Sequence, residues 1–277
     1  MTDHTPELAL DAATVYEQLF VPAEFREWAP RVVAAARVQP GDRVLDVACG
    51  TGILAREVAR VVGPTGFVAG VDADAGMLAV AARTAPQIEW RQAAAESLPY
   101  ADRAFDAVVS QFGLMFFDDR RAALREMMRV LVPGGRAAIA VWDTLENTPA
   151  YAAVVAILER VVGKHAADAL RAPFTLGDRN ELATLCTGVG IADLHVTTHV
   201  GSARFPSVRA MIEAEVRGWM PAVGIAVSDD QLREITAEAE RVLREFVESD
   251  GAVRFDSPAH IVTGANDASM SGGAVPG

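Results

Sequence analysis

The chain has 277 residues, 51% of them hydrophobic and 22% charged, with 25 Lys and Arg against 37 Asp and Glu for a formal charge of −12. The apolar fraction supports a sizeable core and excludes disorder over most of the length. A surface this acidic repels phosphate backbones and anionic lipid, which sets aside nucleic acid and membrane as partners.

From Met1 to Asp11 the chain is polar and acidic, without the basic and apolar stretches of a secretory signal. No apolar run approaches the ~18–20 residues of a membrane-spanning helix, so a soluble, cytoplasmic protein is expected. Residues 8–38 read as two helices carrying Tyr16, Phe20, Phe25 and Trp28. After the Pro40-Gly41-Asp42 turn, Arg43–Val47 is a short apolar strand. Apolar residues then recur at 53, 54, 58, 61 and 62, which is helical spacing, until Gly63-Pro-Thr-Gly66 breaks the pattern. Strands are expected at 67–71, 88–90 and 105–110, with a helix over 75–82. Asp118 or Asp119 caps a helix over 120–131, whose face carries Leu124, Met127, Met128 and Leu131. Pro133-Gly-Gly135 stops it, and 136–142 is the fifth strand. Strand and helix alternating over 41–143 is the signature of a parallel sheet with crossover helices.

Beyond Trp142 the rhythm changes. Helices are expected over 150–162 and 181–187, and a half-solvated strand over 193–200. Ser228-Asp-Asp-Gln231 is a capping box opening a further helix, and 260–263 reads as a last strand. The Ala-, Ser- and Gly-rich stretch 266–277 reads as a disordered tail.

The chemistry concentrates in Val44-Leu-Asp-Val-Ala-Cys-Gly-Thr-Gly-Ile-Leu54, a strand, a glycine turn and a helix. Gly50 and Gly52 let backbone approach a ligand, and the helix behind them aims free N–H groups at an anion. The run is neither a G-x-G-x-x-G dinucleotide fingerprint, since position 55 is Ala, nor a P-loop. Asp72 ends the next strand, 20 residues after Gly52. A carboxylate there matches the vicinal hydroxyls of a ribose. Together these features point to a nucleoside ligand bearing an anionic group.

Five motifs occur in order: Asp46-Val-Ala-Cys-Gly-Thr-Gly52, Val71-Asp-Ala-Asp-Ala-Gly-Met-Leu78, Ala95-Glu-Ser-Leu-Pro-Tyr100, Phe105-Asp-Ala-Val-Val-Ser110 and Glu126-Met-Met-Arg-Val-Leu-Val-Pro-Gly-Gly135. The series resembles class I S-adenosylmethionine-dependent methyltransferases, of the kind related to quinone-biosynthesis and other small-molecule enzymes. The resemblance implies an α/β fold: a Rossmann-like, doubly wound, mostly parallel seven-stranded sheet with helices on both faces and a small helical cap. It implies helices over 1–40 covering the cofactor, a methyltransferase domain over 41–265 with its core at 41–143, and cap insertions at about 144–190 and 204–253. S-adenosyl-L-methionine is the implied cofactor and S-adenosyl-L-homocysteine its product. By the same resemblance Gly50, Gly52 and the Ala48 backbone hold the methionine moiety, Asp46 reaches its amino group, Asp72 takes the ribose and Met77 packs on adenine. Ala95 and Glu96 lie beside the adenine, where Ala94 replaces the family's Asp, and Gln111 borders the reacting side. Tyr16 or Trp28 touches the cofactor if the leading helices close over it; otherwise that aromatic cluster simply packs on the sheet.

Methyl transfer needs docking and water exclusion rather than a catalytic triad, so no catalytic residue is assigned. Cys49, without a nearby His partner, reads as a packing residue, and Cys186 as core. His195 and His199 share a strand face but make an improbable metal pair, so no metal is expected; His165 is the histidine nearest a substrate base. Phe112, Met115, Phe116 and Phe117 are candidates for an apolar substrate pocket, and Trp219 and Met220 for a lid. The expected reading is a methyltransferase acting on a small molecule; a homodimer is left open. The alternatives are a nicotinamide-dependent oxidoreductase and a non-catalytic S-adenosylmethionine-binding protein.

Overall fold

The computed structural model describes residues 12–266. Its strands are β1 (Arg43–Val47), β2 (Phe67–Asp72), β3 (Glu89–Gln92), β4 (Phe105–Gln111), β5 (Leu131–Trp142), β6 (Ile191–Phe205) and β7 (Val253–Asn266). They form one seven-stranded sheet in the order β3-β2-β1-β4-β5-β7-β6. The first five strands run parallel, while β7 lies antiparallel to both β5 and β6. Val44, Leu45 and Val47 are fully buried, as a central strand covered on both faces requires. Asp46 is the polar exception in that run, and it marks the site.

The helices are α1 (Tyr16–Phe25, wound as a π-helix), α2 (Trp28–Ala35), α3 (Ile53–Val62), α4 (Ala75–Thr84), α5 (Arg120–Val130), α6 (Pro149–Val161), α7 (Lys164–Arg171), α8 (Arg179–Cys186), α9 (Val208–Ala214) and α10 (Asp229–Val242). Helix α3 buries Leu54, Ala55, Val58 and Val62 on one face, the stripe its apolar spacing predicts. Asp119 caps α5 through the Ala122 N–H, and the Ser228–Gln231 capping box is formed in full. Among the described residues the core has two parts. One surrounds the sheet with α2, α3 and α5; the other joins α6, α7, α9 and α10 to the far ends of β6 and β7. Helix α8 belongs with the first, burying Leu182 and Cys186.

The largest departures from expectation lie in the second half. Strand β5 begins at Leu131 and absorbs Pro133-Gly-Gly135, because the pairing with β4 shifts between Phe105 and Ala107 to accommodate it. Strands β6 and β7 pair from Ile191↔Asn266 to Phe205↔Val253, well beyond their local alternation, since long-range pairing extends them. Asn266 thus closes β7, and the expected disordered tail over 267–277 lies outside the described residues, as do residues 1–11. Helices α7 and α9 were not predicted, and a π-helical turn, Glu215–Trp219, follows α9.

Candidate active site

A cleft opens at the carboxyl ends of β1, β2 and β4, where open α/β sheets bind ligands. Its floor is the loop after β1, with Ala48, Gly50 and Gly52 at φ 57°, 53° and 87°. Asp72 holds that loop in place. Its Oδ2 accepts from the Gly50 N–H at 2.8 Å and its Oδ1 from the Asp74 N–H at 2.9 Å. Asp74 in turn caps α4 by accepting from the Gly76 and Met77 N–H groups, which fixes Met77 beside the cleft. Helix α3 begins at Gly52 with no side-chain cap, so its first-turn N–H groups remain free for an anion.

Asp46 is 1% exposed, and neither carboxylate oxygen has a hydrogen-bond partner. Burial pushes its pKa well up; the Ala55 N–H offsets part of this without closing a hydrogen bond, and the Asp72 charge adds to it. Burial likewise raises the Asp72 carboxyl, against the bonds from Asp74 and Gly50. Among the described residues no Lys, Arg or His lines the cleft. An orphaned buried carboxylate facing such a space demands a positively charged or donor group from a ligand.

Tyr16, Asp46, Ala48, Gly50, Asp72, Met77, Ala95, Glu96 and Gln111 all line this cleft. Gly52 and Trp28 do not. A β-carbon at Gly52 would collide with the Trp90 ring, so its close approach is to that indole. Trp28 is completely buried, edge-on to Phe112 and Trp142 with ring centroids 5.7 and 5.9 Å away, and it fastens α2 to the sheet. Glu96 accepts from the Asp119 N–H at 3.2 Å, and Gln111 Nε2 donates to the Phe25 carbonyl at 3.1 Å while its Oε1 stays unpartnered. The Glu126 to Gly135 motif acts indirectly. Glu126 accepts from the Leu98 N–H, and Arg129 donates to the Leu98 and Tyr100 carbonyls, pinning the loop that carries Ala95 and Glu96.

Beside the cleft lies a second, inner chamber with a cavity volume of about 80 Å³. The two spaces share Tyr16, Phe112, Phe116 and Trp219 as walls. Phe117 lines the outer cleft alone, whereas Met115 and Met220 are buried and line neither. Trp219 is anchored, its Nε1 donating to the Ala169 carbonyl on α7 at 3.0 Å. Sequence reasoning missed the polar end of the chamber: Glu24 from α1, Tyr151 from α6 and Glu215 from the π-helical turn. Only the folded chain brings these together, although a Glu amid the Tyr16–Trp28 aromatics was a local signal. His165, expected nearest a substrate base, is exposed on α7 and lines neither space. His195 and His199 are exposed on β6, and among the described residues no three His, Cys, Asp or Glu gather to hold a metal ion. The Cys49 thiol, raised well above its ordinary pKa by burial first and then by Asp46 and Asp72, is no nucleophile.

The stretch from Val44 to Gly135 matches the methyltransferase domain family. The chain is 44% identical over 117 residues to the ubiquinone/menaquinone biosynthesis C-methyltransferase of Ectopseudomonas mendocina, covering 40% of this chain and 46% of that protein. It is 40% identical over 136 residues to the 2-phytyl-1,4-naphtoquinone methyltransferase of Synechococcus elongatus, covering 46% and 58%. The chain thus spans about half the length of the curated relatives it matches. Around the matched stretch, the α/β fold is shared with solved structures. The YcgJ protein of Bacillus subtilis superposes with a TM-score of 0.59 at 19% identity, over 87% of this chain and 98% of that one.

Proposed function

We propose that this chain transfers the methyl group of S-adenosyl-L-methionine to a small-molecule acceptor, leaving S-adenosyl-L-homocysteine. The observation that carries the reading is Asp46, a buried carboxylate with both oxygens unpartnered, facing the cleft of a methyltransferase domain. When bound, the cofactor supplies an electrophilic methyl on a sulfonium whose leaving group is neutral. The residues present fit it. Asp46 receives the methionine ammonium, and the free N–H groups at the start of α3 receive its carboxylate. Asp72 keeps lone pairs beyond its two backbone bonds, and these accept the ribose hydroxyls. Met77, with Ala95 and Glu96 opposite, borders the adenine; Ala94 offers no side-chain acceptor, so the backbone there serves. Gln111 lines the cleft and Tyr16 both the cleft and the inner chamber, where the acceptor sits. The chain's work is to align acceptor and methyl and to keep water out.

In this reading the leading helices over 12–40 cover the site and 41–265 form the methyltransferase domain, with cap insertions at 144–190 and 204–253. A cytoplasmic protein that does not bind nucleic acid fits the acidic composition, and among the described residues no helix is long and apolar enough to cross a membrane. A homodimer is compatible with this arrangement.

Calorimetric titration with S-adenosylmethionine, S-adenosylhomocysteine and NAD tests the reading. Micromolar binding of the two sulfur nucleosides with NAD silent is expected. NAD binding alone would replace the reading with an oxidoreductase. Formation of S-adenosylhomocysteine in an acceptor screen separates an enzyme from a protein that only binds the cofactor.

A further inference from the structure

The inner chamber lies largely outside the matched domain: of its lining residues only Phe112 and Phe116 fall within 44–135. The acceptor's chemistry must therefore be read from the chamber's own walls. Tyr16, Phe20, Phe25, Trp142, Phe174 and Trp219 line it, and among the described residues its only charged groups are the carboxylates of Glu24 and Glu215. These are 5% and 2% exposed, and among the described residues no Lys, Arg or His lines the space. Glu24 is held in position: Tyr151 donates to its Oε2 at 2.9 Å and Ser257 to its Oε1 at 3.2 Å. Burial pushes the Glu24 carboxyl up to about 7, against those two bonds. It pushes Glu215 well above the usual carboxylate range, with the neighbouring Glu24 charge adding to the effect.

Two adjacent buried carboxylates without a counter-charge are costly, and a bound cation relieves that cost. An aromatic lining suits the same kind of group. A neutral phenol or alcohol gives no such compensation, and burial then keeps Glu215 protonated. Both carboxylates also sit on π-helical turns, a distortion that recurs at functional sites.

We propose that the inner chamber binds the methyl acceptor as a small organic ammonium, and that Glu24 takes the proton that must leave its nitrogen. The inference rests on the methyl-transfer reading above. One N–H bond of the ammonium breaks, its proton passing to the Glu24 carboxylate and its electron pair staying on nitrogen. That pair forms the N–CH3 bond while the S–CH3 bond breaks, with the S–C electrons remaining on the neutral thioether. The product nitrogen carries the positive charge, which Glu215 balances.

The test uses 2-phenylethylamine and its neutral isostere 2-phenylethanol on the full chain. Quenching of tryptophan fluorescence, Trp142 and Trp219 being chamber walls, reports binding. Calorimetry at pH 6.5 in two buffers of different ionisation enthalpy reports the protons exchanged. The amine is expected to bind at least roughly tenfold tighter than the alcohol and to release protons, because a cation lowers the carboxyl pKa values. Glu24→Gln and Glu215→Gln are each expected to weaken the amine by roughly tenfold while leaving the alcohol unchanged. Equal binding of amine and alcohol, no proton release, or unaltered amine affinity in both variants overturns the proposal. The wild-type comparison decides it even where a variant fails to fold. S-adenosylhomocysteine is titrated in parallel. Its binding alongside a failed amine overturns this inference alone, and its own failure to bind overturns the methyl-transfer reading.

Discussion

Asp72 holds the glycine loop before it meets any ligand, so its carboxylate has two tasks. Asp72→Ala should weaken S-adenosylhomocysteine binding by roughly 1–3 kcal/mol, measured by calorimetry, since both the ribose contact and the Gly50 anchor are lost. Unchanged affinity would remove Asp72 from the site. Gly52 carries a different burden. With φ at 87° and the Trp90 ring against it, Gly52→Ala should lower stability by roughly 1–3 kcal/mol, read as the urea midpoint. Trp90→Ala in the same chain should recover the steric part of that loss. A midpoint unmoved by Gly52→Ala would show that the glycine is there for some other reason. Asp46, Gly50 and Asp72 were legible in the sequence because strand, turn and acidic residue recur at short, fixed spacing. Gly52 was read as making room for a ligand because its true neighbour, Trp90, lies on another strand. Glu24 and Glu215 sit in opposite halves of the chain, and no spacing rule connects them.

Elements with strong local signals matched closely: α3 and β1 occupy the expected residues, and α5 ends one residue earlier than expected. Helices α7 and α9 escaped because they are short, eight and seven residues, and are held by the second core rather than by an amphipathic repeat of useful length. At the start of α10, Ser228→Ala should cost about 1 kcal/mol by removing the cap on the Gln231 N–H, visible as a melting temperature lower by a few degrees. The link from α5 to the cleft is testable too. Arg129→Met should weaken S-adenosylhomocysteine by roughly 0.5–2 kcal/mol with no contact to it, because the 95–100 loop loses its anchor. Wild-type affinity in that variant would mean that the loop holds its shape unaided.

At the scale of the whole molecule, buried acids give the protein an unusual pH response. Glu24 titrates near 7 when folded against an ordinary 4.5, so the folded state binds the proton more tightly than the unfolded chain. Its favourable term is complete below the ordinary value and fades as pH rises through about 7, a loss of about 3 kcal/mol. Asp46 and Glu215, also raised, act in the same sense. The urea midpoint should therefore fall between pH 5 and pH 8, and fall less in Glu24→Gln. Equal slopes in the two proteins would refute the assignment to Glu24.

The shared wall of Tyr16, Phe112, Phe116 and Trp219 has one more effect. A ligand that orders those rings from one side presents an already ordered surface to a ligand arriving from the other. Each occupant should then tighten its neighbour's binding, and linkage requires the factor to be the same in both directions. Such heterotropic cooperativity would favour ternary complexes over half-filled ones, so that the reactive sulfonium spends little time beside an empty chamber.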